Sequence, residues 1–455
     1  MAYTPQLVSI GPFHYVKKEL KALEYLKEKY QLEFYERIEP ESTEKIEKMK
    51  KYIEQQSEDI RACYAGTIEV KGEKFNEMIM RDACFIFELF SKVFCGDQND
   101  YILQTPWLKN TIMLDMILLE NQLPFKYLNE LYERAEIKFH TQPDQTFYSP
   151  SETEVCYRSN LVCGIKDNII NCFTSNSSEA SEQLTEPLNP HPSSATSEHN
   201  EPGTSSESGV DHTFIDLTIG FFRHFSFGSF DKIKEIKHFT DLVRQSWLPE
   251  RFEKLEKDQD QCPKENYLYG SAKELDKAGV DFAPAVASEK FLADVQIDEP
   301  HKCLNFIPCR KIELPLFTMD AKTESLMRNV IAFEQCNPRL NAVICNYVAL
   351  MNELIDTEED VDFLVKKNII KNLLGNNREA ADLVKKLNDE ITEANFVYSE
   401  VCEKLNHFYK NWFNVTRATL SRVYFKDLWT GSSTIVGILV VIFTIVSTIK
   451  AIFFS

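Results

Sequence analysis

The apolar run at the C-terminal end constrains the fold of this chain more than any other part of its sequence. Between Thr434 and Phe454 the chain reads TIVGILVVIFTIVSTIKAIFF, and Lys450 is the only charged residue in that run. An α-helix of roughly 20 apolar residues covers the hydrocarbon core of a bilayer, which is about 30 Å thick. The sequence therefore predicts one transmembrane helix over 434–454, with the lipid bilayer as a partner.

Two other structures would also account for an apolar run. A core helix of a soluble domain usually carries a polar stripe, whereas Ile435 to Val446 is apolar on all sides, with Thr444 as its only hydroxyl. A C-terminal signal for lipid anchoring has a polar spacer of about 8–12 residues after its small residues, and no such spacer follows Gly431. A membrane span fits the pattern better than either alternative.

The residues that precede the span indicate its orientation. Arg417, Arg422 and Lys426 lie shortly before it, and basic residues are enriched on the cytoplasmic side of a span. The N-terminal sequence MAYTPQLVSIGPFHY lacks the charged and then apolar pattern of a secretory signal. We therefore expect a single-pass protein whose N-terminal body lies in the cytosol, and we expect the plasma membrane as its location.

The composition of the chain bears on its partners and cofactors. Its 455 residues carry a formal net charge of −19, whereas nucleic acids bind basic surfaces. We therefore predict no nucleic-acid partner. The 12 cysteines include no C-x-x-C pair, and such scattered cysteines in a cytosolic protein are mostly buried free thiols. Cys303 and Cys309 do not have the spacing of a common zinc-ligand pair. We predict no metal and no cofactor.

Apolar residues at helical spacing predict a mainly α fold, with a helical N-terminal part over 1–140. Residues 141–212 are dense in Ser, Glu, Pro and Thr, which predicts a disordered insertion or linker. The second part of the same helical domain follows over 213–428. Short alternating runs between Phe291 and Phe317 predict a small hairpin or sheet. The fold class is therefore a large helical body with a small β element, a disordered insertion and a C-terminal transmembrane helix.

One helix in the second part has a clear start in the sequence. Thr357 is followed three residues later by Asp360, which is the pattern of a capping box at a helix N-terminus. Gly375 is the expected end of that helix, because glycine commonly terminates helices.

Three acidic residues, Asp82, Asp115 and Glu334, lie among apolar residues at helical spacing. A carboxylate on a buried helix face is either paired or protonated. The first hypothesis is a structural polar network in which Asp82 and Asp115 meet Arg328 or Asn329 and fix how the helices dock. The alternative is an unrecognised enzyme that uses the three carboxylates for acid–base chemistry in a pocket.

The sequence offers no further support for catalysis. No nucleophile accompanies the three carboxylates, and the chain lacks the motifs of phosphate-binding loops, dinucleotide sites, zinc proteases and serine hydrolases. We therefore predict no catalytic residue and no enzymatic activity.

Six strings, taken in order along the chain, resemble the plant "domain of unknown function 247" family. Ala83 stands where the family usually has glycine, and family members usually begin with a short segment before the first string, whereas this chain starts almost at that string. The strings are YTPQLVSIGPFH at Tyr3–His14, DACF at Asp82–Phe85, DMILLENQLPF at Asp115–Phe125, HFTDL at His238–Leu242, SAKELDKAGV at Ser271–Val280 and NVIAFEQ at Asn329–Gln335.

The resemblance implies a plant membrane protein with a C-terminal anchor. It brings no established activity and no site residues, although some members of the family are implicated in recognition, including pollen–stigma self-incompatibility in grasses. Together with the residues themselves, it predicts a membrane-anchored component of protein recognition or signalling, with a protein partner that the sequence does not identify.

Overall fold

The computed structural model describes most of the chain, and the mainly α fold class is confirmed. The described residues are 2–38, 43–137, 212–225, 230, 233, 235–252, 267–285, 291–298, 301–303, 307–392, 396–411 and 428–453. The Ser/Glu/Pro-rich segment predicted as an insertion therefore lies outside the described residues, apart from His212. Its predicted boundaries stay predictions.

Helices dominate the described residues, and short strands lie among the later ones. Three short 3-10 turns accompany them, at Lys18–Leu23, Arg223–Phe225 and Glu250–Phe252. The helices are α1 Glu24–Ile38, α2 Glu44–Ala62, α3 Glu73–Cys95, α4 Tyr101–Gln104, α5 Pro106–Ile117, α6 Phe125–Ala135, α7 Phe214–Phe222, α8 Phe239–Ser246, α9 Ala272–Lys277, α10 Thr323–Cys336, α11 Val343–Leu354, α12 Glu358–Lys366, α13 Asn377–Asn388, α14 Ser399–Lys410 and α15 Leu428–Phe453. The strands are β1 Val280–Pro284, β2 Gln296–Ile297, β3 His301–Cys303, β4 Ile307–Leu314, β5 Phe317–Met319 and β6 Ile370–Asn372.

The chain forms two compact units that alternate along the sequence. The first, which we call the helical unit, comprises Tyr15–Pro106 and Tyr127–Phe221. The second, which we call the mixed unit, comprises Met1–His14, Trp107–Lys126 and Phe222–Ser455.

The core of the helical unit is built around α3. This helix packs against α1 and α2, and its phenylalanines form ring contacts with neighbouring helices. The Phe87 ring lies 5.6 Å from that of Phe34 and 5.2 Å from that of Phe214, measured between centroids. Aromatic packing between these rings stabilises the unit beyond the burial of apolar area alone.

Helix α3 ends at Gly96, which has a φ of 66°. Glycine adopts this left-handed conformation without a steric penalty, so it is suited to the end of a helix.

The mixed unit contains the small sheet that the sequence predicts. Strand β4 is its central strand: β1 pairs with it in parallel, whereas β2 and β3 pair with it antiparallel. A second, two-stranded parallel sheet joins Phe317 to Ile370 through β5 and β6. The sequence did not indicate that second pairing, because three-residue strands carry almost no periodic signal.

The helix predicted from Thr357 begins as expected and ends earlier than expected. The capping box of Thr357 and Asp360 is present at the start of α12. The predicted end at Gly375 is wrong, because α12 stops at Lys366 and Asn368 adopts a φ of 58°. Ile370 then enters β6. An asparagine in the left-handed conformation therefore turns the chain out of the helix, a role that sequence reasoning assigned to glycine.

Candidate functional site

Asp115, near the C-terminal end of α5, binds the backbone of the N-terminal arm, by which we mean residues 2–10. Its Oδ1 accepts a hydrogen bond from the N–H of Gln6 at 2.8 Å. Its Oδ2 accepts from the N–H groups of Leu7 at 2.7 Å and Val8 at 2.9 Å. The carboxylate is buried. Three backbone donors thus satisfy an acidic side chain, and charge-assisted bonds of this kind are the stronger ones in proteins.

Asn121 and Asn329 bind the same arm through their side-chain amides. Asn121 accepts from the N–H of Ile10 at 2.7 Å and donates to the carbonyl of Val8 at 2.9 Å. Asn329, on α10, donates to the carbonyl of Ala2 at 2.9 Å and accepts from the N–H of Leu119 at 2.8 Å. The three side chains of Asp115, Asn121 and Asn329, which we call the arm clamp, therefore hold the N-terminal arm by its main chain.

Glu334 is held by a cation that the sequence did not single out. Arg244, on α8, donates from Nε to Glu334 Oε1 at 2.7 Å and from Nη2 to the carbonyl of Asn341 at 2.8 Å. The N–H of Cys345, in the first turn of α11, donates to Glu334 Oε2 at 2.9 Å. Glu334 thus joins α8, α10 and α11 within the mixed unit.

Arg328 does not have the role that the polar-network hypothesis gives it. Its guanidinium pairs with Glu324 at 3.1 Å and with Glu390 at 2.7 Å. Six residues along an α-helix turn a side chain by about 600°, which leaves Arg328 roughly 120° away from Glu334 around the axis of α10. Arg328 and Glu334 therefore lie on different faces of one helix. Asn329, by contrast, lies on the buried side and acts in the arm clamp.

Asp82 lies in the helical unit, where its partner is Lys27 of α1. The ammonium of Lys27 donates to Asp82 Oδ1 at 2.6 Å, and both side chains are 0% exposed. Lys27 also pairs with Glu24. Burial alone would lower the pKa of Lys27, but the carboxylates of Asp82 and Glu24 outweigh burial and raise it. A buried carboxylate is here matched by a buried ammonium.

The chemistry available to these three carboxylates is limited by their burial. Asp82, Asp115 and Glu334 are each at most 2% exposed, and each accepts hydrogen bonds from side-chain or backbone donors. General acid–base catalysis needs a group that reaches a substrate. The solvent-reached pocket that the enzyme hypothesis requires is thus not formed by these carboxylates. Within the described ranges, no group of three or more His, Cys, Asp and Glu side chains is arranged to hold a metal ion.

A surface cavity of about 460 Å³ lies in the mixed unit, beside the starts of α9 and α12. Its acidic lining residues are already engaged. Asp360 accepts from the hydroxyl of Ser271 at 2.6 Å and from the N–H of Lys273 at 3.1 Å. Burial would raise the pKa of Asp360, but these bonds and those from Thr357 outweigh it and lower the pKa. Asp360 thereby serves the N-termini of two helices, which is a structural role.

The remaining candidate is α15, whose apolar surface has no protein cover. The segment Ser432–Ile449 has a mean hydropathy of 2.3, and none of it is buried. Its large apolar side chains, from Ile435 to Ile449, are 49–76% exposed. Thr444 and Thr448 donate their hydroxyl protons to carbonyls one turn earlier, at 2.7 and 2.8 Å, so these polar groups are satisfied within the helix. Among the described residues, this is the one helix long and apolar enough to cross a membrane.

Comparison with known proteins places the chain in a family. A family model described as "Plant protein of unknown function", DUF247, matches residues 1–443. This chain belongs to the DUF247 family. The resemblance inferred from the six strings is thereby confirmed.

Two relatives from Arabidopsis thaliana are similar to this DUF247 chain over nearly its whole length. UPF0481 protein At3g47200 is 25% identical over 99% of this chain and 83% of its own length. Putative UPF0481 protein At3g02645 is 24% identical over 94% of this chain and 83% of its own length. No solved structure gives a significant match.

Four of the six DUF247 strings are joined by hydrogen bonds in the structure. The string at Tyr3–His14 supplies the backbone of the arm, and the strings at Asp115–Phe125 and Asn329–Gln335 supply the arm clamp. The string at His238–Leu242 joins them, because the side chain of Thr240 binds Gln122 at 2.6 Å and the N–H of Phe239 binds the same glutamine at 2.8 Å. Four distant strings thus hydrogen-bond to one another within the mixed unit.

Sequence reasoning missed Lys27, Asn121 and Arg244 among the residues that organise these contacts. Lys27 had a signal, because it lies four residues after Leu23 and three before Tyr30, on the apolar side of α1. Asn121 stood within the DUF247 string without an assigned role. Arg244 had no local signal that distinguished it from a surface arginine.

Proposed function

We propose that this DUF247 protein is a single-pass membrane protein whose body engages a protein partner rather than catalysing a reaction. The observation that carries the proposal is the bare apolar surface of α15, since 18 consecutive residues of mean hydropathy 2.3 have no protein cover. Exposure of so much apolar surface to water is strongly unfavourable. A bilayer provides the matching environment for a helix of this length.

The body is proposed to lie in the cytosol and the membrane to be the plasma membrane. The support is the set of basic residues before the span, Arg417, Arg422 and Lys426, which lie outside the described residues. Basic residues favour the cytoplasmic side during insertion. A protease added to sealed plasma-membrane vesicles tests this orientation, because the body is digested only when it lies on the side that the protease reaches.

Protein interaction is proposed in place of catalysis because the buried carboxylates Asp82, Asp115 and Glu334 hold elements of the body together. Its surface also presents large apolar side chains on α1, where Tyr25 is 63% and Leu32 is 62% exposed. Tyr25 and Leu32 are seven positions apart, which is about two helical turns, so they lie on one face of the helix. Exposed apolar side chains of this size are common at protein contacts.

Removal of the span tests the anchoring part of the proposal. A chain that ends at Gly431 is expected to stay in the supernatant after carbonate extraction, whereas the full chain stays in the membrane pellet. The matched control is a full chain with Lys371 replaced by Met, which leaves the span untouched. Recovery of the shortened chain in the carbonate-washed pellet would contradict the proposal.

A separate experiment tests the interaction part. A labelling enzyme fused to the N-terminus is expected to mark a partner protein that is lost from the Y25S/L32S variant. The control is K29S, which changes an exposed residue of the same helix. If no protein is marked reproducibly, or if Y25S/L32S and K29S mark the same set, the face of Tyr25 and Leu32 is not a contact site.

A further inference from the structure

Helix α1 presents a row of exposed side chains on the side that faces away from the core of the helical unit. Tyr25 and Leu32 are 63% and 62% exposed, which makes them, outside α15, the most exposed large apolar side chains that the structure describes. Glu28 and Lys29 lie between them, with side chains 52% and 59% exposed. At about 100° per residue, these four side chains fall within an arc of about 100°. The buried residues of the helix lie on its other side and are Leu26, Lys27, Tyr30, Phe34 and Ile38.

One exposed charged residue continues this row at each end. Lys21 lies in the 3-10 turn before α1, and Glu24, where the turn passes into the helix, has helical dihedrals of −61° and −38°. Glu36 lies one turn after Leu32, and both Lys21 and Glu36 are exposed. Neither of these two has an ion-pair partner among the residues that the structure describes. We call the following residues the α1 row: Lys21, Tyr25, Glu28, Lys29, Leu32 and Glu36.

The centre of the α1 row is complementary to itself when the helix is reversed. Tyr25 and Leu32 lie equally far from the point midway between Glu28 and Lys29, on opposite sides of it. A contact between two identical copies across a two-fold axis brings residue i against j and residue j against i. If the axis passes through that midpoint, the tyrosine of each copy meets the leucine of the other, and an acid meets a base between them. Each of the two central charges also has an ion pair within its own copy, at 3.6 Å, so it contributes less to the contact.

The ends of the α1 row are complementary about the same midpoint. Lys21 and Glu36 lie equally far from it, on opposite sides. The same two-fold axis therefore places the lysine of each copy opposite the glutamate of the other. These two charges have no competing ion pair in the described part of their own chain. One axis thus matches the apolar residues and the charges together.

A parallel arrangement of two α1 helices lacks this complementarity. It would place each residue of the α1 row against its own counterpart, so that Lys21 would meet Lys21 and Glu36 would meet Glu36. Like charges that face each other between helices are destabilising. The antiparallel arrangement is therefore favoured, and the seven-residue spacing of Tyr25 and Leu32 suits helix pairs that cross at about 20°.

We infer that the α1 row is a contact site for a second copy of this protein, with the two α1 helices packed antiparallel across a two-fold axis. Stable interfaces use about 20–30 residues from each partner, whereas the α1 row supplies six. The contact is therefore weak in solution and depends on confinement of both copies to one bilayer, which raises their effective concentration. The inference rests on the proposed function in two respects, the membrane anchor and the contact face of α1.

The test measures energy transfer between donor-labelled and acceptor-labelled full chains in phosphatidylcholine vesicles, as the ratio of protein to lipid is raised. The salt concentration is about 0.15 M, so that charges more than about 8 Å apart are largely screened. K21E alone, and E36K alone, bring like charges together at both ends of the contact. Self-association of each variant is expected to weaken by at least about 5-fold, because two attractive pairs become repulsive.

A mixture of the two variants provides the decisive measurement. When donor-labelled K21E meets acceptor-labelled E36K, opposite charges face each other again at both ends of the contact. Association within the mixture is therefore expected to return to at least the strength of the unmodified chain. Any association through α15 is the same in all these samples, so it does not produce this pattern.

Two further variants separate the apolar contact from general effects of substitution. Y25S/L32S removes the apolar pairs and is expected to weaken self-association by at least about 10-fold. K371E reverses the charge of an exposed lysine in β6 and is expected to leave self-association unchanged.

The inference is overturned if K21E and E36K each self-associate as tightly as the unmodified chain. It is also overturned if their mixture associates no better than either variant alone, or if Y25S/L32S associates like the unmodified chain. The proposed function fails by different results, which are recovery of the shortened chain in the carbonate-washed pellet and a labelled partner set that Y25S/L32S does not change. If the inference is overturned while Y25S/L32S still loses a labelled partner, a different protein binds this face and the proposed function stands.

Discussion

Two apolar helices of this chain have opposite surroundings. The side chains of α11, VICNYVALMNEL, are largely buried, with Leu350 and Leu354 at 0% exposure. The side chains of α15 between Ser432 and Ile449 are not buried at all. At 12 residues, α11 is too short to cross a hydrocarbon core, whereas the 26 residues of α15 are enough.

The comparison shows that apolar composition alone does not say where a helix lies. Helix α11 is covered by protein, and its neighbours even supply the partners of its polar groups, as Glu334 does for the N–H of Cys345. Helix α15 satisfies its hydroxyls internally and leaves its apolar side chains for an external environment. We therefore expect changes in the body to alter folding stability, and changes in α15 to alter membrane attachment.

The largest expected effect is that of Leu350→Asp in α11. A charge without a partner would replace a fully buried side chain, which destabilises a fold by at least about 4 kcal/mol. We expect the body to unfold in urea at a much lower concentration, or to be recovered unfolded, while α15 still holds the chain in the membrane pellet. Loss of the chain from the pellet would contradict the separation of the two helices.

Asp115→Ala is expected to have the next largest effect. The substitution leaves the N–H groups of Gln6, Leu7 and Val8 without their acceptor, and each buried donor without a partner costs about 1–3 kcal/mol. We expect a loss of about 3–5 kcal/mol in the free energy of unfolding. The control is Asp362→Ala, which removes an exposed pair with Lys366 and should change stability by less than about 1 kcal/mol. Equal effects of the two substitutions would refute the arm clamp.

Lys27→Met and the double variant K27M/D82L test the other kind of buried carboxylate. The single variant leaves the buried Asp82 without its ammonium partner, which is expected to cost about 3 kcal/mol. The double variant removes both charges, and well-packed apolar pairs often replace such pairs without loss. Urea unfolding should therefore show the double variant to be more stable than the single one. The arm clamp allows no such rescue, because its donors belong to the backbone.

The last expected effect is a dependence of stability on pH, which is smaller than the other effects over any single pH unit. Burial, and then Lys237, lower the pKa of His238 to about 3, from an ordinary value of 6.5. Above pH 6.5 the imidazole is neutral in both states and contributes no pH dependence. As the pH falls from 6.5 towards 3, the unfolded state takes up a proton that the folded state does not, so stability falls by about 1.4 kcal/mol per pH unit.

His238→Asn is expected to remove that slope. Asparagine can still accept the N–H of Asp241 that the imidazole accepts at 3.2 Å at the start of α8. The free energy of unfolding, measured between pH 6.5 and 4, should depend on pH less steeply in the variant, by one proton. Identical slopes for the variant and the unmodified chain would show that His238 is not held neutral.

The helical parts of this fold follow from local sequence, whereas most of its contacts do not. The apolar spacing around Asp82, Asp115 and Glu334 places these residues on helix faces that are buried. Their partners depend on tertiary structure: Arg244 lies 90 residues from Glu334, and the donors to Asp115 are main-chain groups more than 100 residues away. Every residue except proline carries a backbone N–H, so no residue pattern in the sequence indicates the arm clamp.

The candidate membrane helix was the easiest element to predict, for the same physical reason. A span depends on length and composition within one continuous segment, and TIVGILVVIFTIVSTIKAIFF carries both. The pairing of β5 with β6 was the hardest, because it joins two three-residue segments about 50 residues apart. Local features can be predicted from one sequence, whereas contacts between distant segments cannot.

Hydrogen exchange of α11 and α15 in lipid nanodiscs tests the central claim most directly. Exchange of backbone amides is followed by mass spectrometry as urea is raised through the unfolding transition of the body. If lipid covers α15 and protein covers α11, the amides of α11 exchange at the transition while those of Ser432–Ile449 stay protected. Exchange of both helices at the same urea concentration would show that α15 belongs to the cooperative fold of the body and would contradict the account.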